Sequence, residues 1–193
     1  MSKHYRQTSK QDARLGVSKP QWLERGMQFL AQGSVQDLSV EGLARSLGIA
    51  KAGFYWHFKN RDDLLRQLLE HWTHEITEVI TANPEVLALE PEARLVRAAQ
   101  IIHDFELTRY EFAFRQWALT DQGAAQAIKR VNRLRLDFAR KALGELGFKG
   151  EDLEMRAMLF VVYHSLELPM FREISKKRRR GLIGKRMRLL TRK

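Results

Sequence analysis

The chain has 193 residues, 44% of them hydrophobic, no cysteine and a formal charge of +11. Such a chain can bury a core without a disulfide or metal staple, and the lack of cysteine excludes a disulfide framework, a Cys-ligated zinc site and thiol catalysis. Its apolar run at Met158–Tyr163 is far short of the ~20 residues that cross a bilayer, and the polar N-terminus has no signal-peptide core. A cytoplasmic protein of one or two domains is expected, with a polyanionic partner: nucleic acid before an anionic membrane surface.

Basic ends flank a mildly acidic body. Residues 1–20 carry +4, 21–61 carry +2, 62–171 carry −5 and 172–193 carry +10, a pattern that suits a nucleic-acid reader with a separate helical domain. No strand alternation is visible, and apolar residues recur at three- and four-residue spacing, so the class is all-α, with about nine helices. Residues 1–17 read as a flexible basic arm. Ser18 caps the first helix, with Pro20 in its first turn and Gln21 as capping-box partner. Trp22, Leu23, Gly26, Met27 and Leu30 give it a buried face, and Gly33 stops it. Ser39 caps a short second helix with Val40, Leu43, Ala44 and Leu47 inside, and Gly48 permits a left-handed turn. Ala50 to His57 form a third helix. Asn60 caps a fourth that runs to about Thr81 and links the two domains. After a break at Asn83–Pro91 come helices near 92–106, 108–120, 124–146 and 152–168, the last ended by Pro169.

Residues 39–57 are two short helices joined by a glycine turn, the pattern of a helix-turn-helix whose second helix enters a major groove. Leu43, Ala44, Leu47, Ile49, Phe54 and Phe58 are spaced to share a core. Lys51, Ala52 and Tyr55 are left outside beside His57 and Lys59. Trp56 reads as packing, because large aromatics usually bury.

Residues 20–66 resemble the DNA-binding domain of the TetR family of bacterial transcriptional regulators. The likeness rests on Leu38-Ser39-Val40, Leu43-Ala44, Leu47-Gly48-Ile49, and above all on Phe54-Tyr55-Trp56-His57-Phe58-Lys59-Asn60-Arg61 followed by Leu64-Leu65. Residues 67–171 resemble the family in length, helicity and short phrases such as Arg115-Gln116-Trp117-Ala118. The resemblance implies a helix-turn-helix domain over 18–66, an effector-binding and dimerisation domain over 67–171, and a basic tail, 172–193, outside the family pattern. It implies phosphate contacts from Tyr55 and Lys59, His57 at the backbone or groove edge, and base readout beginning at Lys51 and Ala52. A hydroxyl residue is usual in the family where Ala50 and Gly53 stand, so base reading passes to Lys51, to Tyr55, or to Ser39 and Arg45 of the second helix.

The resemblance also implies a homodimer and a small-molecule effector pocket. Val131, Leu134 and Phe138, with Ala157, Phe160 and Val161, are the expected dimer surface. His103, Phe105, Tyr110, Phe114, Trp117, Met158 and His164 are the candidate pocket, although an aromatic stripe is more often core and a lone His more often a hydrogen-bonded core group. His71 and His74, at i and i+3, lack a third ligand, so no metal is expected. No phosphate loop, G-x-S-x-G or HExxH is present, so no enzyme and no cofactor is expected. The tail reads as a solvated end, as added phosphate contact, or as a basic helix that lays Leu182, Ile183, Met187, Leu189 and Leu190 on a membrane surface or a partner. The sequence thus points to a ligand-responsive homodimeric repressor on a double-stranded DNA operator. The alternative is a protein that binds nucleic acid or an anionic surface without sequence choice.

Overall fold

The computed structural model describes residues 16–192, which contain helices and no strand. The expected basic arm lies outside the described residues except for Gly16 and Val17. The chain divides into two units between Leu68 and Leu69.

In the first unit, α1 spans Lys19–Gln32. Gln21 Oε1 accepts the Ser18 N–H at 2.7 Å, the reciprocal half of the expected capping box. Gly33 ends the helix by donating its N–H to the Phe29 carbonyl. A 3₁₀ turn, Val35–Asp37, precedes α2, Val40–Ser46, whose Gly42 N–H is capped by Ser39 Oγ at 3.1 Å. Gly48 then turns the chain at φ +69°, a left-handed conformation that costs glycine little. The third helix, Lys51–Trp56, is 3₁₀. Two features of its sequence account for so weak a helix: Ala50 supplies no side-chain cap, and Gly53 is ~1 kcal/mol worse than Ala in a helix interior. Next, α3 spans Arg61–Thr73. Its tenants pack closely on α1: a methyl added at Gly26 would stand 3.0 Å from Leu68 Cδ2.

In the second unit the expected helix to Thr81 is completed through a π turn, His74–Glu78, and Val79–Thr81. Then follow α4 Pro84–Leu87, α5 Pro91–Asp104, a 3₁₀ turn Leu107–Tyr110, α6 Glu111–Trp117, α7 Gln122–Glu145, α8 Gly150–Met170 and α9 Lys176–Thr191. Pro169 lies inside the last turn of α8 and does not stop the helix ahead of it. The core is built where α5, α7, α8 and α9 pack on one another.

That packing corrects two expectations. Val131, Phe138, Ala157, Phe160 and Val161 are buried inside the protomer, and Leu134 is half-buried, so these residues do not form an open surface for a second chain. The apolar row that α8 leaves open is Met155, Met158, Leu159 and Val162, each at least half exposed and spaced to share one face. The tail is the second correction. It is not a solvated end, and of the apolar side expected to meet a membrane or partner, Ile183 and Met187 are in the protein's own core, where α9 packs on α5.

Arginines fasten α9 as hydrogen-bond donors. Arg156 of α8 donates to the Leu190 carbonyl at 2.8 Å, Arg179 donates to Ile174 O at 2.8 Å and Phe171 O at 3.2 Å, and Arg186 reaches Glu167 at 2.9 Å and the Tyr163 hydroxyl at 3.0 Å. Met187→Ala should therefore lower the unfolding free energy by about 2–5 kcal/mol, the range for truncating a buried large aliphatic. Chemical denaturation reads this directly, and a loss under about 0.5 kcal/mol, typical of surface substitutions, would mean that α9 is not docked.

Candidate nucleic-acid interface

The Lys51–Trp56 helix is held by one side chain. Phe54 is fully buried, edge-on to Trp22 at 5.5 Å and stacked on Phe58 at 5.0 Å. In a 3₁₀ helix successive side chains stand about 120° apart, so burying Phe54 turns its two successors outward. Tyr55 is 55% exposed and Trp56 88%. Trp56 is thus not packing, contrary to the size argument. An apolar ring held this far in solvent is the feature of this surface that sequence reasoning missed. Its only sequence signal was its place beside the expected contact residues.

The other expected contact residues divide by what they already touch. Ser39, Arg45, Ala52 and Lys59 are exposed. Ser39 Oγ is engaged as the cap of α2. Lys51 pairs with Glu41 and lies 5.9 Å from the Tyr55 ring centroid. Its hydrogen bond to Glu41 raises the Lys51 pKa and lowers that of Glu41, so both stay charged. His57 turns inward, its Nε2 at 2.8 Å from the Val17 carbonyl, where the N–H form donates. It serves the domain's own packing with that nitrogen, which is then not open to a phosphate.

The segment after the helix is fixed with equal care. Asn60 Oδ1 accepts the Asp63 N–H at 2.8 Å, and the Asp63 carboxylate accepts the Lys59 N–H at 2.9 Å. That backbone donor leads the causes that hold the Asp63 carboxyl at a pKa of about 2. Arg61 donates to the carbonyls of Leu38 at 2.7 Å and Val35 at 2.5 Å, tying the start of α3 to the turn before α2. The result is a short helix on a glycine turn with a Tyr, a Trp and two Lys on its open side. That arrangement can offer cations and ring edges to a phosphate backbone and a groove.

Residues 23–68 match the family model of the bacterial regulatory proteins, tetR family. The likeness to the TetR family is thus carried by the N-terminal unit. The second unit is outside that match, but the chain has the fold of solved TetR-family regulators. A structure described as a TetR-family transcriptional regulator from Rhodococcus sp. is 17% identical, with a TM-score of 0.64 over 89% of this chain and 96% of that one. The regulator FadR from Bacillus subtilis, solved in complex with stearoyl-CoA, is 16% identical, with a TM-score of 0.68 over 90% of this chain and 98% of that one. AibR, solved in complex with isovaleryl coenzyme A and operator DNA, is also 16% identical, with a TM-score of 0.63 over 85% and 95%. No curated protein matches the sequence. No helix among the described residues is long and apolar enough to cross a membrane, and no group of three or more His, Asp or Glu among them could hold a metal ion.

The second unit holds a narrow cavity of about 40 Å³. Of the expected pocket residues only His164 lines it. Phe105 is exposed. His103, Tyr110, Phe114 and Trp117 are buried as packing, with Phe114 stacked on Trp72 at 4.5 Å. Met158 lines a separate, more open groove of about 250 Å³. The cavity wall is instead largely aliphatic and hydroxylic, with Ile76, Thr77, Ile80 and Thr108 beside the rings of Phe138 and Phe160, and with Arg135 and Ser165 on its polar side. Arg135 reaches the buried carboxylate of Glu111 at 3.0 Å and Ser165 Oγ at 2.9 Å, and Arg115 also pairs with Glu111.

His164 donates Nδ1–H to the Phe160 carbonyl at 2.7 Å, which leaves Nε2 as a buried acceptor without a partner. Burial depresses its pKa from 6.5 to about 4. The unfolded chain therefore takes up this proton near pH 6.5 while the folded chain resists it. Stability should be complete above that pH and fall by roughly 3 kcal/mol as pH drops toward the folded value. His103, also pushed down by burial, acts in the same direction. Unfolding free energies measured between pH 7.5 and 4.5 should fall less steeply for His164→Asn than for the natural chain. Parallel pH profiles would show that His164 is not held neutral.

Proposed function

We propose that the chain is a sequence-specific DNA-binding transcriptional regulator, a ligand-responsive repressor that works as a homodimer in the cytoplasm. The observation that carries this reading is the open side of the Lys51–Trp56 helix, where Tyr55 and Trp56 stand out beside Lys51 and Lys59 on a domain of the TetR family. Lys59 and Tyr55 contact phosphates; Lys51, released from Glu41, or Arg45 reads a base edge. One such helix from each protomer enters a half-site of a roughly palindromic operator. The exposed row Met155, Met158, Leu159 and Val162 is the surface that a second copy covers, because large apolar side chains ordered along one helix face are favoured by burial.

The effector enters the second unit. FadR and AibR were solved with acyl-CoA thioesters. The cavity of this chain suits the apolar part of a small molecule, with Arg135 and His164 Nε2 as polar handles. At its present volume it is far smaller than the roughly 300–1,000 Å³ of a ligand pocket. A ligand there selects a wider state of the walls and shifts the DNA-binding equilibrium only by its preference for that state. The protein acts without catalysis and without a cofactor.

Two outcomes test this. Selected genomic fragments should be preferred over bulk DNA by ~10³ or more at physiological salt, and Lys59→Ala should flatten the salt dependence on a selected fragment by about 0.9 in log–log slope. A protein that bound all fragments alike would be the non-specific binder instead. Separately, Leu159→Glu should yield monomers in sedimentation with the fold retained, whereas a surviving dimer would move the interface off α8.

A further inference from the structure

The helix α9 carries charge that the proposed function leaves unassigned. Among the described residues near it, Asp104 pairs with Arg180, Glu106 with Lys176 and Glu167 with Arg186, while Glu92 accepts a hydrogen bond from Thr191 Oγ1. Lys177, Arg178, Lys185, Arg188 and Arg192 are exposed, and among the described residues no ion pair is found for them. At helical spacing these five positions fall within about 100° of one side. They extend over about 20 Å of the axis. The opposite side is the docked one, with Arg179, Ile183 and Met187 buried. Like charges so placed repel one another, and among the described residues no carboxylate stands within ion-pair distance of them.

We propose that this stripe is a second phosphate-binding surface, for the backbone of duplex DNA, carried by the second unit independently of the helix-turn-helix. A lipid surface fits it poorly. A basic helix binds in a membrane by burying an apolar face, and Ile183 and Met187 are spent in the core, leaving Leu189 alone exposed at the stripe's edge. A duplex asks for no apolar face. It presents about one charge per 1.7 Å of axis, and cations that neutralise it gain by releasing counterions. The contact is blind to sequence. It would hold the chain on DNA at any site, leaving choice of site to the first unit.

Deleting the tail cannot test this, because it would open the core at Ile183 and Met187. The clean variant replaces Lys177, Arg178, Lys185, Arg188 and Arg192 with Gln in the full chain, with Lys185→Gln/Arg188→Gln as a milder companion. Gln is about as good a helix former as Lys or Arg, and thermal unfolding verifies that each variant is folded. Binding to a random-sequence duplex is followed by fluorescence anisotropy across a salt series. The five-fold variant should lose roughly 4 to 5 from the log–log slope, and the pair roughly 2, at about 0.9 per phosphate contact. Tyr55→Ala/Lys59→Ala, which weakens the first unit, should keep most of this non-specific binding. Unchanged slopes in both stripe variants would overturn the proposal. So would co-sedimentation with phosphatidylserine vesicles that is lost in the five-fold variant while its duplex slope stays the same, which would make the stripe a lipid contact. Failure of selected-fragment preference alone would overturn the operator reading and leave the stripe standing.

Discussion

Phe54 is the constraint on which the candidate interface depends. The six residues from Lys51 to Trp56 cannot form a stable helix alone, since helix nucleation is unfavourable and this one has neither a side-chain cap nor a favourable centre. Its direction comes from one ring set between Trp22 and Phe58. Threefold geometry then assigns the other sides: Tyr55 and Trp56 go to solvent, and His57, three residues on, returns to the Phe54 side and finds the Val17 carbonyl. The contact surface is therefore written by a core residue. Arg61 and Asn60 fix where the chain goes next, so the surface is rigid at both ends without a long helix beneath it.

Features set by interactions within four residues were legible in the sequence. Gln21, Ser39, Gly48 and Asn60 do what their types and spacing predict, whereas the Ser18 hydroxyl turns to Gln21 Oε1 and caps no backbone N–H. The buried row Leu43, Ala44, Phe54 and Phe58 was legible for the same reason, since periodicity marks an inner face. Trp56 was not, because residue size says that a ring prefers burial while only the three-residue turn says which ring gets it. The cavity was not legible either. Trp72, Phe114 and Trp117 fill space among themselves, and the gap is left where aliphatic, hydroxyl and two Phe side chains from several helices fail to meet. The inner stripes of α7 and α8 were found correctly as apolar, but a stripe does not say whether its partner is in the same chain.

The tail shows why net charge is a poor guide to structure. Its composition resembles that of a solvated end, and Gly181 and Gly184 each weaken a helix by ~1 kcal/mol. Two apolar residues a turn apart, Ile183 and Met187, nevertheless find a core, and arginine makes the docking possible. Arg179 satisfies carbonyls of the connecting segment, and Arg156 reaches from α8 to those at the end of α9. These guanidinium groups act as multiple donors to backbone that would otherwise lack partners. Arg179 and Arg186 are thereby turned inward, Lys176 and Arg180 are paired at the surface, and five more cations are left in a row by the same docking.

Glu111 shows the same economy at the opposite dielectric extreme. Its carboxylate is wholly buried, a state tolerated only because Arg115 and Arg135 both reach it. Removing either arginine would strand part of a buried charge, so α6 and α7 are tied at this point. Ser165 extends the tie to α8 through Arg135, and it borders both the narrow cavity and the open groove. A molecule that widened the cavity would have to stretch or replace these hydrogen bonds, because they brace its one polar wall. An apolar molecule could only stretch them and would bear that cost in its affinity. A molecule with an acceptor of its own could take over a bond to Arg135 and recover most of it, so the wall favours ligands that carry an oxygen over pure hydrocarbons.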